Sequence, residues 1–166
     1  MKKLILEHEQ IRKKLRRIAY QIYENHLEAS SLVIAGIADN GFVLASLLQR
    51  DLEEISGISV KLVEIKVNKQ HPSEKTTGTI PALETLEKEA VIIVDDVLNT
   101  GKTMAYALYP FFKAKFRTIR TAVLADRNHK RFPFSADYVG ISLATTLQEH
   151  IAFEQDAQGV MSVHLS

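Results

Sequence analysis

The sequence predicts an α/β fold in which a mostly parallel central sheet is flanked by helices. Short apolar runs rich in β-branched residues, such as SLVIAGI and AVIIVDD, alternate with segments whose apolar residues recur at helical spacing. The chain has 166 residues, of which 46% are hydrophobic and 25% are charged. This length and composition are typical of one globular domain with one core, so we expect a single domain over residues 1–166.

The first half of the chain is expected to contain a helix, a buried strand, a second helix and an alternating strand. The first helix is predicted over residues 8–27, where one face carries Ile11, Leu15, Ile18, Ala19, Ile22 and Leu27. The segments SLVIAGI, GFVLASLLQRDLEEI and ISVKLVEIKV are then predicted as strand, helix and strand. Residues 68–81, NKQHPSEKTTGTIP, contain two prolines and many polar residues, which predicts a long loop.

The second half is expected to add three strands, one helix and a pair of strands at the C-terminal end. The strands are predicted in AVIIVDD, TIRTAVLAD and SADYVGISL, and the helix in GKTMAYALYPFFKAKF. Pro110 falls inside that helix and predicts a kink or an early end. The tail, HIAFEQDAQGVMSVHL, is typical of two strands around a turn at residues 156–159.

Charge and composition exclude several classes of protein. The net charge is +1, so bulk electrostatics do not favour a nucleic-acid or membrane partner. There are no cysteines, which excludes disulfides and cysteine-ligated metal sites and fits a reducing cytoplasm. The start, MKKLILEHEQ, lacks the apolar core of a signal peptide, and no apolar run approaches the roughly 20 residues of a membrane helix. We therefore expect a cytoplasmic protein.

Three loops are expected at the ligand-binding edge of the sheet. In open, mostly parallel sheets, ligands bind at the carboxyl ends of the strands. The candidate loops at that edge are residues 38–41, residues 95–103 and the segment from Asp126 onward.

The segment VIIVDDVLNTGKTM, residues 91–104, ends like a nucleotide-binding P-loop. Asp96 stands where a P-loop has its first glycine, and a carboxylate there disfavours a triphosphate. A single phosphate fits better, held by the backbone N–H groups of residues 97–103 at a helix N-terminus. Asp95 and Asp96 suit the hydroxyls of a ribose, or a Mg²⁺ bound through water. A strand end followed by a plainly capped helix is the alternative.

The same residues carry a family resemblance. VIIVDDVLNTGKT resembles the phosphoribosyl pyrophosphate (PRPP) motif of type I phosphoribosyltransferases. EQIRKKLRRIAYQIYEN, VIAGIADNGFVLASLL and LADRNHKRFPFSADYVG resemble, in the same order, segments of the PyrR-type branch. PyrR-type proteins are pyrimidine-operon attenuation regulators that are also uracil phosphoribosyltransferases.

This resemblance implies a type I phosphoribosyltransferase fold with a small hood formed by the C-terminal region. The implied reaction transfers phosphoribose from PRPP to a nucleobase, uracil or another pyrimidine, with release of pyrophosphate and with Mg²⁺ as cofactor. Catalysis would then rest mainly on positioning and electrostatics, without a covalent intermediate. A homodimer or higher oligomer is also implied, since the apolar face of the first helix and the C-terminal hairpin need burial.

The resemblance gives each predicted site residue a role. Asp95 and Asp96 would hold the ribose hydroxyls and, through water, the Mg²⁺, while Asp126 would accept a proton near the base. The 5-phosphate would lie on Val97, Leu98, Asn99, Thr100, Gly101, Lys102 and Thr103, and the pyrophosphate on Ala38, Asp39, Asn40 and Gly41. The base would lie over Arg127, Tyr138 and Val139, with the Tyr138 ring stacked on it. The alternative for Tyr138 is ordinary packing.

The chain departs from the PyrR-type pattern in two places. Asn40 stands where a basic residue is expected, and Asp39 adds a negative charge beside it, so a plain Asn-Gly turn is the alternative there. Residues 67–81 occupy the place of a mobile lid, where Lys69, His71 or Lys75 would contact the pyrophosphate. A solvated polar loop is the alternative for this segment.

A second function class is an RNA-binding attenuation regulator on the same fold. Its support is a basic stripe on the first helix, formed by Arg12, Lys13, Lys14, Arg16 and Arg17. Such a stripe is more often the solvent-exposed face of an amphipathic helix. In addition, Tyr20 stands where the resemblance leads us to expect a histidine. The basic cluster of Arg127, His129, Lys130 and Arg131 is likewise more often a solvated rim. We favour the enzyme, and a nucleotide-binding protein with little catalysis is the third alternative.

Overall fold

A six-stranded sheet and a three-stranded sheet make up the β structure of the described residues. The computed structural model describes residues 1–68 and 77–166. The helices are α1 (His8–Glu24), α2 (Asn40–Ile55) and α3 (Lys102–Lys113), with a short 3-10 turn at Leu83–Thr85. The strands are β1 (Lys3–Leu6), β2 (Ser31–Ile37), β3 (Ser59–Lys66), β4 (Gly78–Ile80), β5 (Ala90–Leu98), β6 (Thr118–Asp126), β7 (Tyr138–Ser142), β8 (Ile151–Gln155) and β9 (Met161–Leu165).

The larger sheet has the order β4-β3-β2-β5-β6-β7. All of its neighbouring strands run parallel except the short β4, which lies antiparallel to β3. The prediction of a mostly parallel sheet is therefore confirmed. Because β2, β5 and β6 are parallel neighbours, the loops that follow them meet at one edge, where Leu98 lies beside Asp126 in register.

Helices cover both faces of this sheet. Helices α1 and α2 pack on one face and α3 on the other. The predicted apolar face of α1, from Ile11 to Ile22, is buried as expected. Leu27 is not part of that face, because α1 ends at Glu24 and the Leu27 side chain is 64% exposed. Among residues 1–68 and 77–166, no helix is long and apolar enough to cross a membrane.

The second sheet, which we call the hood sheet, has the order β1-β9-β8 and is antiparallel throughout. The predicted C-terminal hairpin is confirmed as β8 and β9. The sequence reasoning missed β1, so the hood sheet combines both ends of the chain, with Lys3 beside Leu165. Its inner side chains, among them Phe153 and Val163, join the core cluster of α1 and α2.

Three further elements differ from the predicted bounds. Strand β5 continues to Leu98 instead of ending at the aspartate pair. Helix α3 passes through Pro110 and ends at Lys113, three residues before the end of the predicted segment at Phe116. The predicted loop at residues 68–81 contains the short strand β4. The predicted pyrophosphate contacts of Lys69, His71 and Lys75 lie outside the described residues.

Candidate active site

The start of α2 and the end of β5 are in direct contact at the carboxyl edge of the sheet. Asn40, the first residue of α2, donates from Nδ2 to Asp96 Oδ2 at 3.0 Å and to the Phe153 carbonyl at 3.4 Å. The sequence predicts both loops at this edge but no role for Phe153, whose contribution is a backbone carbonyl in the hood sheet. A carbonyl leaves no sequence signal, so only the fold reveals this contact.

Asp95 and Asp96 differ in their surroundings. The Asp95 side chain is buried, and its Oδ1 accepts a hydrogen bond of 2.9 Å from the Asp96 backbone N–H. Asp96 is only partly buried, and its Oδ1 accepts a bond of 2.8 Å from the Val97 backbone N–H. The motif therefore contains one inner carboxylate and one nearer to solvent, and both are held by backbone donors.

The phosphate loop is shorter than predicted. Val97 and Leu98 belong to β5, where the Leu98 side chain is buried and its carbonyl accepts from the Arg127 N–H at 3.0 Å. Since the Val97 N–H donates to Asp96, neither residue fits its predicted place in a phosphate-binding turn. The turn itself comprises residues 99–101 and leads into α3, which begins at Lys102.

Gly101 takes a conformation that favours glycine. Its φ is +87°, and an added Cβ would lie 3.4 Å from the Phe134 Cβ. The segment after β6 folds over this turn, because the N–H groups of Arg131 and Phe132 both donate to the Thr100 carbonyl, at 2.9 and 3.1 Å. The Thr100 hydroxyl accepts from the Lys102 N–H at 3.3 Å. The turn is thus held from outside and opens onto the N-terminus of α3.

The loop after β2 lies at the N-terminus of α2, as an anion site requires. The peptide bond between Ala38 and Asp39 is cis. The Ala38 N–H donates to the Ile65 carbonyl at 2.9 Å, so that N–H is not part of an anion nest. Gly41 packs tightly on β5, since a Cβ there would lie 2.6 Å from the Val94 carbonyl oxygen.

Asp126 is buried at the end of β6 with a cation beside it. Its Oδ2 lies 3.3 Å from Lys130 Nζ, and its Oδ1 accepts from the Asn128 N–H at 2.8 Å. The structure thus brings Asp126 to the same edge as the aspartate pair. Lys130, predicted as part of a solvated rim, has its side chain 30% exposed and forms this ion pair.

Arg127 holds two loops together. Its side chain is buried, and Nε donates to Thr145 Oγ1 at 2.8 Å, Nη2 to the Thr146 carbonyl at 3.0 Å and Nη1 to Asn99 Oδ1 at 3.5 Å. His129 Nε2 adds a contact of 2.6 Å to the Thr145 carbonyl. The guanidinium thus fixes the loop after β7 against the phosphate loop. Neither Thr145 nor Thr146 was predicted to take part.

Tyr138 lies at the wrong end of its strand to stack on a base. It begins β7, whereas the carboxyl end of β7 is Ser142, beside Asp126. The Tyr138 ring is 4% exposed in the core, and its hydroxyl accepts a bond of 2.8 Å from Asn25. The predicted stacking is therefore wrong and the packing alternative holds. Val139, the next residue, lies three residues before Ser142, and its carbonyl accepts a hydrogen bond from Arg17.

Comparison with known proteins identifies the family. The model of the phosphoribosyl transferase domain matches residues 2–158. The chain belongs to this phosphoribosyltransferase family. A Bifunctional protein PyrR of Haemophilus ducreyi is 32% identical over 160 residues, which span 91% of this chain and 88% of the relative. Its counterpart in Geobacter sulfurreducens is 35% identical and spans 93% and 91%.

A solved structure supports the phosphoribosyltransferase fold. The hypoxanthine phosphoribosyltransferase of Trypanosoma cruzi superposes with a TM-score of 0.75 at 22% identity, over 97% of this chain and 95% of that one. At this identity the likeness concerns the fold alone. It confirms the predicted α/β architecture of a type I phosphoribosyltransferase.

The basic stripe of α1 is largely paired within this phosphoribosyltransferase chain. Arg12 and Arg16 reach Asp51 Oδ1 at 3.0 and 3.5 Å, and Asp51 is 2% exposed. Arg17 donates to the carbonyls of Val139 and Gly140 on β7. The stripe is therefore less available to an external phosphate than its sequence indicates. Lys13, Lys14 and Arg17 also line an open groove of about 580 Å³ beside β1.

Proposed function

We propose that this chain, acting as one domain, transfers phosphoribose from PRPP to a nucleobase and releases pyrophosphate. The observation that carries the proposal is the arrangement at the end of β5. A carboxylate pair is followed, after one short turn with its glycine at φ +87°, by the N-terminus of a helix. That arrangement suits a ribose 5-phosphate, with its hydroxyls on Asp95 and Asp96 and its phosphate at residues 99–103.

The bonds of the reaction define what the protein must do. A ring nitrogen of the base forms a bond to ribose C1 while the bond from C1 to the pyrophosphate oxygen breaks, and pyrophosphate leaves with the electron pair. Positive charge develops at C1, which the carboxylates of Asp95 and Asp96 stabilise. The base loses its N–H proton, and we propose that the carboxylate of Asp126 accepts it.

The carboxylate pair also fits Mg²⁺. The described residues contain no group of three or more His, Cys, Asp or Glu side chains that could hold a metal ion by themselves. Magnesium bound together with substrate phosphates needs only one or two protein carboxylates, with water as further ligands. We propose that Asp95 and Asp96 hold it through water. When bound, Mg²⁺ neutralises charge on the departing pyrophosphate.

We propose a pyrimidine, uracil in the first place, as the acceptor. The support is the resemblance to the PyrR-type branch and the curated relatives that carry the PyrR name. The base would lie among Asp126, the Arg127-bound loop of residues 143–147 and the edge strand β8. This location replaces the predicted contacts of Tyr138 and Val139.

A screen of bases tests the proposal directly. The protein is incubated with PRPP, Mg²⁺ and uracil, cytosine, orotate, hypoxanthine or guanine, and pyrophosphate release is measured with each base. We expect release with uracil, and formation of UMP at the same rate. The proposed activity is refuted if PRPP does not bind at millimolar concentration in a calorimetric titration and no base leads to pyrophosphate release.

RNA binding is the second candidate, and the relatives' description as bifunctional favours it. Arg16 and Arg17 are poor positions to test it, because they also hold Asp51 and the β7 carbonyls. Lys13 is exposed on the same helix, and Lys14 is partly so. If RNA is bound there, the double change Lys13→Glu with Lys14→Glu abolishes salt-dependent binding to a pyrimidine-operon leader RNA while leaving pyrophosphate release unchanged.

The oligomeric state and the cytoplasmic location are also proposals. The sequence predicted a dimer because two apolar surfaces needed burial. In the structure, the apolar face of α1 and the inner face of the hairpin are buried within the chain itself, so this argument is weaker. We retain a homodimer or higher oligomer on the resemblance alone. Light scattering after size-exclusion chromatography measures the mass, and one chain mass at micromolar concentration would contradict the proposal.

A further inference from the structure

The side chain of Asn40 connects three separate parts of the candidate site. It starts α2 in the loop that the resemblance gives to pyrophosphate. Its Nδ2 donates to Asp96 Oδ2 at 3.0 Å, in the carboxylate pair, and to the Phe153 carbonyl at 3.4 Å, in the hood sheet. An amide nitrogen has two hydrogens to donate, so these two contacts account for both.

The hydrogen bond from Asn40 to Asp96 contributes to the orientation of the Asp96 carboxylate. Its other oxygen, Oδ1, accepts from the Val97 N–H at 2.8 Å. Among the described contacts, the Val97 N–H donates to Oδ1 and the Asn40 amide donates to Oδ2, so the carboxylate has a donor on each oxygen. Asn40 is the first residue of α2, which fixes its backbone. Loss of the Asn40 amide would remove the donor on Oδ2.

The contact with Phe153 is equally well anchored. The Phe153 side chain is buried in the core, and its backbone pairs with Val163 in the hood sheet. Its carbonyl therefore offers a fixed acceptor above the end of β5. Through Asn40, the edge strand β8 and the Asp96 carboxylate are held at a set distance from each other.

This environment suits pyrophosphate poorly. With both amide hydrogens directed to protein acceptors, Asn40 has only its Oδ1, a hydrogen-bond acceptor, to offer to a ligand. The adjacent Asp39 carboxylate is exposed, and it adds a negative charge to the loop. Pyrophosphate oxygens need donors or cations, and neither of these two side chains supplies one.

We propose that Asn40 is a positioning residue that orients Asp96 toward the ribose hydroxyls and couples the hood sheet to the ribose subsite. It acts through Asp96 and not as a pyrophosphate ligand. The inference rests on the proposed function, because it takes Asp96 as the ribose contact. It predicts that a change at Asn40 alters recognition of the sugar even in ligands that carry no pyrophosphate.

Nucleoside monophosphates separate the two roles. UMP has the ribose and the 5-phosphate but no pyrophosphate, and dUMP lacks one ribose hydroxyl in addition. Titration calorimetry should show that the unchanged protein prefers UMP to dUMP by about tenfold, the lower end of the range for a hydrogen bond to a charged group. In Asn40→Ala, UMP affinity should fall by about tenfold, and the preference over dUMP should shrink to about twofold or less.

Two further variants complete the experiment. Asn40→Asp has the same shape but puts a carboxylate against Asp96, so it should weaken UMP at least as much as Asn40→Ala. Asn25→Ala is the matched control, because the Asn25 amide also donates to two acceptors, Tyr138 Oη and the Gln21 carbonyl, far from the site. The control should bind UMP and dUMP as the unchanged protein does. Circular dichroism verifies that each variant is folded.

The outcomes are distinct. If Asn40→Ala binds UMP normally and loses affinity only for inorganic pyrophosphate, Asn40 is a pyrophosphate ligand and the inference is wrong. If Asn40→Ala weakens UMP and dUMP equally, the residue does not act through the ribose hydroxyls, and the inference is again wrong. If the unchanged protein binds neither UMP nor PRPP, the proposed function itself fails, and that result is recognised without any variant.

Discussion

The Asn25 side-chain amide donates a hydrogen bond of 2.8 Å to the Tyr138 hydroxyl, at the end of the sheet opposite to the candidate site. The contact joins the C-terminal end of α1 to the start of β7. Burial raises the pKa of the Tyr138 hydroxyl above its ordinary value, and the bond from Asn25 offsets part of that rise. Tyr138 is therefore a structural residue whose neutral form the fold favours.

The first prediction concerns Tyr138→Phe and alkaline pH. Because the pKa is raised in the folded state, the stabilisation is fully present below the unfolded value, about 10, and is lost as pH rises through the folded value. At pH 7 the variant should lose about 1 kcal/mol of unfolding free energy with the hydrogen bond. Urea unfolding between pH 7 and 11 should show this difference shrinking above about pH 10. A pH-independent difference would contradict the assignment.

The second prediction concerns Asp96→Asn. The amide keeps the size of the carboxylate and one oxygen for Asn40, but it removes the charge that faces the developing positive charge at ribose C1. We expect pyrophosphate release to fall by about 100-fold with little change in the thermal unfolding temperature. Glu89→Gln is a suitable control, since Glu89 pairs with Arg117 on the surface. Retained turnover in Asp96→Asn would contradict the role of the pair.

The third prediction concerns Gly101→Ala. At φ +87° an alanine is strained, and its Cβ would also contact Phe134. We expect a loss of about 1–2 kcal/mol in unfolding free energy, with weaker UMP binding because the phosphate turn must shift. Gly57→Ala is the matched control, because nothing lies within 4 Å of a Cβ added there. Denaturant titration and calorimetry measure the two effects, and equal behaviour of both variants would argue against a tight turn.

The fourth prediction concerns Arg127→Met. Methionine fills much of the buried space but leaves Thr145, Thr146 and Asn99 without their donor. We expect a loss of about 2–4 kcal/mol in unfolding free energy, together with slower pyrophosphate release. Arg117→Met should change stability by less than about 1 kcal/mol, because the pair of Arg117 with Glu89 is exposed on the surface. Unchanged stability in Arg127→Met would show that the loops are held by other contacts.

Much of the fold follows from local patterns in the sequence. The apolar run of β2, the alternation of β3 and the helical spacing from Ile11 to Ile22 each appear in the structure where they were predicted. The end of β5 was missed because the aspartate pair is typical of a loop, while the register with β6 extends the strand to Leu98. Strand β1 was missed because its partner, β9, is remote in the chain.

The sequence predicted which loops form the candidate site, but several of the contacts in the structure differ from the predicted ones. The aspartate pair, Gly101 and Asn40 come together because they lie at or just after the carboxyl ends of the parallel neighbours β2 and β5, where this fold places its ligands. The predicted strand began at Ser135, whereas β7 begins at Tyr138, so Tyr138 lies at the end of the strand remote from the site. Nor does sequence distinguish a buried arginine that holds two loops from one at a solvated rim, and Arg127 is the former.

The pairing of β1 with β9 has a consequence for synthesis of the chain. Among the described strands, β1 leaves the ribosome first and β9 leaves last. Until β9 emerges, β1 lacks its neighbour in the hood sheet, and the Phe153 carbonyl that Asn40 contacts belongs to a strand without a partner. The Phe153 carbonyl therefore gains its support from a paired strand only after β9 has been synthesised.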